Sequence, residues 1–397
     1  MKRLIVRALD SDASAEARRR YLYFWARLVL RSRRPRIVGV TGTVGKTTAT
    51  ECIAAVVMHP RAAPRVGRVR KSVHNMNDNV GLPLIVLGYE DWPRSRSDWL
   101  KVLLHVPFRA IACITDRRYP DTLVLEYGAG WGSDVHGLAR LAPPTVAVVT
   151  SVGPAHLERF GSVEGVAREK AGLVEATLPE GIVVLGPDNE FADAMASASK
   201  AKVVRVDGRG RALSDRIATE VAAFFGIDAR TAEDALRSYE GAPGRLQLRD
   251  LGGITLIDDV FNANPLSMKL GLDTLVATAR PEQRKVAVLG GMGELGEHTA
   301  AYHVQIAEYA RRSSDVIVAV GALAKRYDAD LWYHDSAACA AALRDWLRSG
   351  DCVLVKGSHS ANLRPVANAL QTWANEVNEH AATPTDQGDA VQAAPER

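Results

Sequence analysis

Cysteine is scarce in these 397 residues. The four that occur, Cys52, Cys113, Cys339 and Cys352, lie far apart with no C-x-x-C pair. That argues against a disulfide framework or a zinc site and fits a reducing cytoplasm. Long apolar runs are absent too. The candidate near the start, Tyr21 to Leu30, is broken by Arg27 and falls far short of the roughly 20 residues that cross a bilayer. It has no secretory cleavage pattern. An excess of positive charge is missing from most of the chain. Residues 1–36 hold eleven Lys/Arg against Asp10, Asp12 and Glu16, a net +8 in a chain whose total is +4, so the rest stands at −4. The body is therefore not a general nucleic-acid binder, and the basic arm needs its own explanation.

What is present centres on Ile37 to Thr50, IVGVTGTVGKTTAT. A short β-branched run ends in a Gly-rich turn, and Lys46-Thr47-Thr48 opens a helix. Gly42 and Gly45 let backbone N–H groups crowd round an anion, and the helix start adds its positive dipole end. Thr43 and Thr48 complete the loop. Lys46 can reach the β- and γ-phosphates of a nucleotide, and the Thr47 hydroxyl can sit on Mg²⁺. The strict phosphate-loop pattern needs a glycine at position 40, where Val40 stands; what remains is G-T-x-G-K-T.

The arm comes first along the chain. Residues 14–34 read as a helix with Tyr21, Phe24, Trp25 and Leu28 at helical spacing. It is either packed on the next domain or laid on an anionic membrane surface as a basic amphipathic helix. From 37 to about 150, strands at 37–41, 84–88, 122–126 and 145–150 alternate with helices, which predicts a parallel sheet with crossovers. Residues 60–80 read as a loop whose polar end holds Asn75 and Asn77. The strand 122–126 delivers Glu126 at its carboxyl end, where open α/β sheets bind ligands and a carboxylate suits Mg²⁺. His156 follows the next strand, and Lys170 lies in a helix from Val163 to Ala176. After a strand at 182–186 and two helices within 211–239, Gly241 to Arg245 reads as a hinge. A second α/β unit follows, with strands at 254–257, 285–289, 315–320 and 352–355. Asp259, Asn262 and Asn264 follow its first strand, and Lys356 and Ser358 its last. Beyond about Asn378 the composition predicts a disordered tail.

These residues alone support an ATP-using α/β enzyme. A GTPase is disfavoured, because no D-x-x-G or N-K-x-D stretch follows in a convincing place. A kinase, a ligase and a motor ATPase stay open. Seven stretches in order then narrow the field: 42–48, Glu126-Tyr127-Gly128, 151–162 with Lys170, 243–245, 257–268, 288–303 and 355–360. Together they resemble the Mur ligase family, in particular the branch that adds D-alanyl-D-alanine to UDP-N-acetylmuramoyl-tripeptide.

The resemblance implies an α/β fold with a P-loop central ATPase domain, 37–243, then a Rossmann-like C-terminal ligase domain, 244–378. The arm, 1–36, precedes them and the tail, 379–397, follows. It implies ATP and Mg²⁺ as cofactors, an acyl-phosphate intermediate, and an amide product in cell-wall synthesis. The partners implied are a small-molecule carboxylate and an amine, with no nucleic acid. ATP would lie between the two domains, whose closure excludes water. Glu126 and His156 match metal ligands, Lys170 a lysine that family members carbamylate, and Arg245 an arginine that contacts nucleotide. Asp259, Asn262 and Asn264 fall where ribose and adenine are held; Asn75, Asn77, Lys356 and Ser358 fall near the substrates.

The chain also departs from the branch. Only 36 residues precede the loop's strand, where the branch carries a domain for the UDP-sugar; the expectation is that the basic arm replaces it. No Gly-His-Asn element stands between Asp188 and Gly241, and Gly291 replaces a usual acidic residue. Ligation of another carboxylate, on a peptide, an amino-acid polymer or a lipid-linked precursor, is the alternative. A non-catalytic partner subunit would have shed Lys46, Thr47, Glu126, His156 or Lys170, and all five are present.

Overall fold

Strands buried on both faces read as unbroken apolar runs, and those runs build one parallel sheet and one that is parallel but for an edge strand here. The computed structural model describes residues 12–73, 76–130 and 134–382. They fold into two compact units. One runs to Arg245 and takes in Asn264–Leu270 and Gly293–Tyr302. The other takes Leu246–Ala263, Gly271–Met292 and the chain from His303.

The first unit opens with helix α1 (Asp12–Arg33), strand β1 (Arg36–Thr41) and helix α2 (Lys46–Val57). Then come β2 (Val69–Lys71), α3 (Gly81–Val86), α4 (Arg96–Thr115), β3 (Thr122–Glu126), α5 (Val135–Leu141) and β4 (Val146–Val149). Helix α6 (Val163–Glu175), β5 (Ile182–Leu185), β6 (Lys202–Arg205), α7 (Gly210–Phe224) and α8 (Ala229–Arg237) follow. The six strands lie in the order β2-β3-β1-β4-β5-β6, all parallel. Val38, Val40, Val124, Val148 and Val184 from the sheet meet Ile53 and Val57 of α2 and Ile217 and Val221 of α7 in one core. With β1 between β3 and β4, the chain after each strand emerges at one sheet edge, where doubly wound sheets place ligands.

The second unit holds β7 (Gln247–Asp250), β8 (Thr255–Asp259), β9 (Lys285–Gly290), β10 (Val316–Val320), β11 (Leu331–Tyr333) and β12 (Cys352–Lys356). Their order is β11-β10-β9-β12-β8-β7, with β7 antiparallel to β8 and the rest parallel. The longer helices of this half of the chain are α9 (Pro265–Thr278), α10 (Thr299–Ser313) and α11 (Arg364–Ala382).

The arm is packed on its own unit. Leu22, Ala26, Val29 and Leu30 are buried, and α1 lies against α3 and α4. The Tyr21 hydroxyl donates to the Leu103 carbonyl at 2.9 Å, and the Tyr23 hydroxyl to Asn79 Oδ1 at 2.9 Å. No helix among the described residues is long and apolar enough to cross a membrane.

Three local expectations are corrected. Residues 84–88 are not a strand: Gly81–Val86 is helical and Leu87 and Gly88 follow it. Leu82 to Val86 are buried all round, so no period separates helix from strand; the Asp78 carboxylate decides it by accepting the N–H groups of Val80 and Gly81. Residues 60–80 are not one loop, because 69–71 form an edge strand whose pairing with β3 a three-residue run cannot announce. Helix α11 runs to Ala382, past the Asn378 limit, since each added residue gains a backbone bond and alanine is the best helix former. The rest of the expected tail lies outside the described residues.

Candidate active site

Thr41 ends β1, and the turn after it is shaped by two glycines. Gly45 takes φ 86°, in the left-handed region, and caps α2. Gly42 has φ 150°, and a Cβ there would stand 1.9 Å from Thr150 Oγ1. The loop is tied to the chain after β4. Thr43 N–H donates to Ser151 O at 2.9 Å, Val44 N–H to Ser151 Oγ at 2.9 Å, and the Thr43 hydroxyl to Gly153 O at 3.2 Å. The first bond of the helix joins Ala49 N–H to Gly45 O at 2.8 Å. The N–H groups of Gly45, Lys46, Thr47 and Thr48 precede that ladder, and no side chain among the described residues caps them. Four converging donors at a helix start form an anion site.

Lys46 folds back so that its Nζ donates to Gly42 O at 2.8 Å. Burial of its ammonium lowers its pKa; Glu126 opposes that shift and Arg245 adds to it. Arg245 is thus within electrostatic reach of Lys46. Glu126, 5% exposed, ends β3 beside the loop. Its Oε2 accepts from the Thr47 hydroxyl at 2.8 Å, its Oε1 from Asn77 Nδ2 at 2.8 Å, and its N–H donates to Ser72 Oγ at 2.9 Å. Hydroxyl and carboxylate oxygens side by side are the hard donors that Mg²⁺ takes. It needs only one or two carboxylates when phosphates and water fill the other positions, so this pair fits it. Among the described residues no group of three or more His, Cys, Asp or Glu is placed to hold a metal.

Lys170 is only 2% exposed on α6. Burial, then the neighbouring Lys46 charge, hold its pKa well below the usual lysine value, against the pull of Glu169 and Glu126. His156 caps a one-turn helix, Leu157–Phe160, in the left-handed region at φ 53°. Its Nδ1 pairs with the Glu294 carboxylate, and that bond holds the Glu294 pKa down. The loop residues, Glu126 and Asn77 are therefore one hydrogen-bonded group, while His156 is bonded to a different carboxylate. Asn75 lies outside the described residues.

The second unit has its own polar cluster at the carboxyl ends of β8, β12 and β9. Lys356, 1% exposed, donates to Asp259 Oδ2 at 2.6 Å and to Asn262 O at 2.9 Å. Asp259 Oδ1 accepts Leu246 N–H at 3.2 Å. The Ser358 N–H donates to Gly291 O at 3.0 Å, and its hydroxyl lies 3.0 Å from that of Ser360. Asn262 Oδ1 accepts Ala263 N–H at 2.8 Å. Asn264 is engaged locally: its Oδ1 accepts Ser267 N–H at 2.9 Å and its N–H donates to Ser267 Oγ at 3.0 Å, a cap on α9.

Two family models match the chain, the Mur ligase middle domain over residues 111–230 and the Mur ligase glutamate ligase domain over 244–359. The UDP-N-acetylmuramoyl-tripeptide–D-alanyl-D-alanine ligase of Mycobacterium tuberculosis is 33% identical over 402 residues, covering 84% of this chain and 72% of that protein. The chain belongs to the Mur ligase family. The Bacillus subtilis ligase of the same name is 24% identical, covering 84% of this chain and 76% of its own. Among solved structures, the MurF ligase of Thermotoga maritima in complex with ADP superposes with a TM-score of 0.72 at 23% identity, over 92% of this chain and 86% of that one.

Mur ligases form amide bonds with ATP, so the family, the α/β fold and the enzyme class all agree with the sequence reading. Three residues that organise the site carry little signal in the sequence alone. Ser151 follows β4 much as Glu126 ends β3; it opens the stretch 151–162, which does not announce its bonds to the loop. Ser72 directly follows the edge strand, in a stretch whose composition reads as loop. Glu294 is the sole carboxylate in the Gly-rich run 290–296, and only the fold brings it to His156.

Proposed function

We propose that the protein joins D-alanyl-D-alanine, or a similar amine, to the carboxylate of a muramoyl-peptide precursor in cell-wall synthesis, using ATP. The observation that carries this reading is the bonded set Lys46–Gly42 and Thr47–Glu126–Asn77 at a helix start with four open N–H groups. The substrate carboxylate oxygen attacks the γ-phosphorus and ADP leaves. The amine nitrogen then attacks the acyl carbon, phosphate leaves, and the amine proton passes to solvent. Phosphoryl transfer of this kind needs alignment and charge neutralisation more than covalent help. The loop N–H groups and Lys46 supply both for the phosphates. Thr47 and Glu126, with His156 on the acyl-phosphate side, would hold Mg²⁺, which when bound neutralises phosphate charge.

Lys170 has the chemistry to be carbamylated. Burial and the Lys46 charge lower its pKa, which favours the neutral amine that CO₂ converts to an anionic carbamate, a ligand for cations. Arg245, Asp259, Asn262 and Asn264 are assigned to the nucleotide; Asn75, Asn77, Lys356 and Ser358 are assigned to the substrates. Residues 37–243 and 244–378 would form the two ligase domains. The setting is the cytoplasm, where the four free thiols stay reduced. The basic character of residues 14–34 supports a peripheral membrane contact as well.

Amine-dependent phosphate release tests the assignment. ATP, Mg²⁺, UDP-N-acetylmuramoyl-tripeptide and D-alanyl-D-alanine should give phosphate and a product heavier by the dipeptide less water. Tight ATP binding without that product would reject the muramoyl substrate and leave the ligase chemistry to another carboxylate.

A further inference from the structure

Apart from Met58, the exposed large apolar side chains among the described residues of the first unit are not scattered. Phe24 and Leu28 on α1, and Leu100, Leu104, Phe108 and Ile111 on α4, all face solvent; Phe24 is 61% exposed, Leu104 62% and Phe108 71%. On α4 they recur at intervals of four, four and three, one stripe of the helix, while Val106 and Ala110 of the same helix are buried. On α1, Phe24 and Leu28 belong to the stripe that begins at Tyr21, whose hydroxyl reaches Leu103. Arg18 stacks over the Trp99 ring at 5.6 Å. The pairing of 18 with 99 and 21 with 103 sets the two helices parallel, so the apolar stripes run side by side. Six large side chains on one two-helix face exceed the singly scattered apolar residues of an ordinary surface.

The face has a basic border. Arg20, Arg27 and Arg31 on α1 and Lys101 on α4 are exposed, and Arg117 and Arg118 follow α4. Glu16 pairs with Arg19 and Arg20, Asp98 with Lys101 and with Ser95 in the α4 cap, and Asp116 with Arg118, so the border keeps its excess of positive charge through Arg27, Arg31 and Arg117. A second copy of this face would bring cation against cation. An anionic bilayer matches both features: the apolar stripe enters the headgroup–acyl boundary, and the arginines stay at the lipid phosphates.

We propose that the face shared by α1 and α4 seats the protein on an anionic phospholipid bilayer. This rests on the peripheral reading of residues 14–34 and extends it to α4. The test is sedimentation of the full chain with vesicles of phosphatidylcholine alone or mixed equally with phosphatidylglycerol. The wild type should pellet with the mixed vesicles only. Leu104→Ser with Phe108→Ser should bind roughly tenfold weaker or more, the loss expected for withdrawing large apolar side chains, while thermal melting and ATP hydrolysis stay unchanged. Arg27→Glu with Arg31→Glu should release the protein and remove its salt dependence. Binding that the arginine pair abolishes but the α4 pair leaves intact would overturn the shared face and keep the arm. No pelleting of the wild type would overturn both. A dimer that Phe108→Ser dissociates, with no vesicle binding, would assign the face to a second copy and overturn the proposal.

Discussion

Lys170 shows how burial sets chemistry at a single residue. It is among the largest fully buried side chains of the described residues, and it lies near a second, part-buried ammonium, Lys46. Both pKa values are lowered in the folded protein, while the unfolded chain holds those protons up to 10.5. Between each lowered folded value and 10.5 unfolding therefore takes up protons, so stability rises with pH across that interval and these two groups add no slope below or above it. Lys170→Met should raise stability at about pH 7 and flatten the rise towards about pH 10, as read by urea unfolding in CO₂-free buffer. An unchanged slope would mean that the ammonium keeps its proton in the fold. Lys170→Ala should lower ligation by about 10²-fold or more, the scale of a lost electrostatic stabiliser. Short-chain carboxylates should restore part of the rate if a carbamate is the working form. Lys46→Ala is expected to cost about 10²- to 10³-fold in ATP-dependent turnover on the same grounds, checked by phosphate release at saturating substrate.

At the scale of elements, caps and turns decide where chemistry sits. The loop after β1 was legible because its glycines, lysine and threonines each have a separate physical reason to be there. Glu126 was legible because a strand of buried residues has one polar end. The helix Gly81–Val86 was not, since a run buried on every side carries no period, and its cap, Asp78, lies in a polar stretch that reads as loop. The strand Val69–Lys71 was too short to stand out, and Glu294 reaches His156 across 138 positions of sequence. The resemblance places Asn262 and Asn264 at the nucleotide and says nothing of a helix start, yet the structure gives Asn264 the cap of α9. Asn264→Ala should therefore cost about 1 kcal/mol of stability, the usual value of a lost cap. If nucleotide contact is also its task, ATP affinity falls with it; if capping is the whole of its role, affinity measured by titration calorimetry stays put while the denaturation midpoint drops.

For the whole molecule, the two units each have their own sheet and their own core. Domains with separate cores can melt separately, so one unfolding temperature need not describe this chain. The open donors and Lys46 are in the first unit, and a ligand stabilises the state that binds it. MgATP at about 100 times its dissociation constant should add about 2.7 kcal/mol to that unit. A unit of this size gains roughly 2–4 °C per kcal/mol, so its transition should move up by about 5–10 °C. Differential scanning calorimetry with a non-hydrolysable ATP analogue reads this directly. The Lys46→Ala protein should show a much smaller shift at the same analogue concentration, while its unliganded trace keeps both transitions. A shift of equal size in the variant would place the bound phosphates away from the loop, and with them the assignment of Thr47 and Glu126 to the metal.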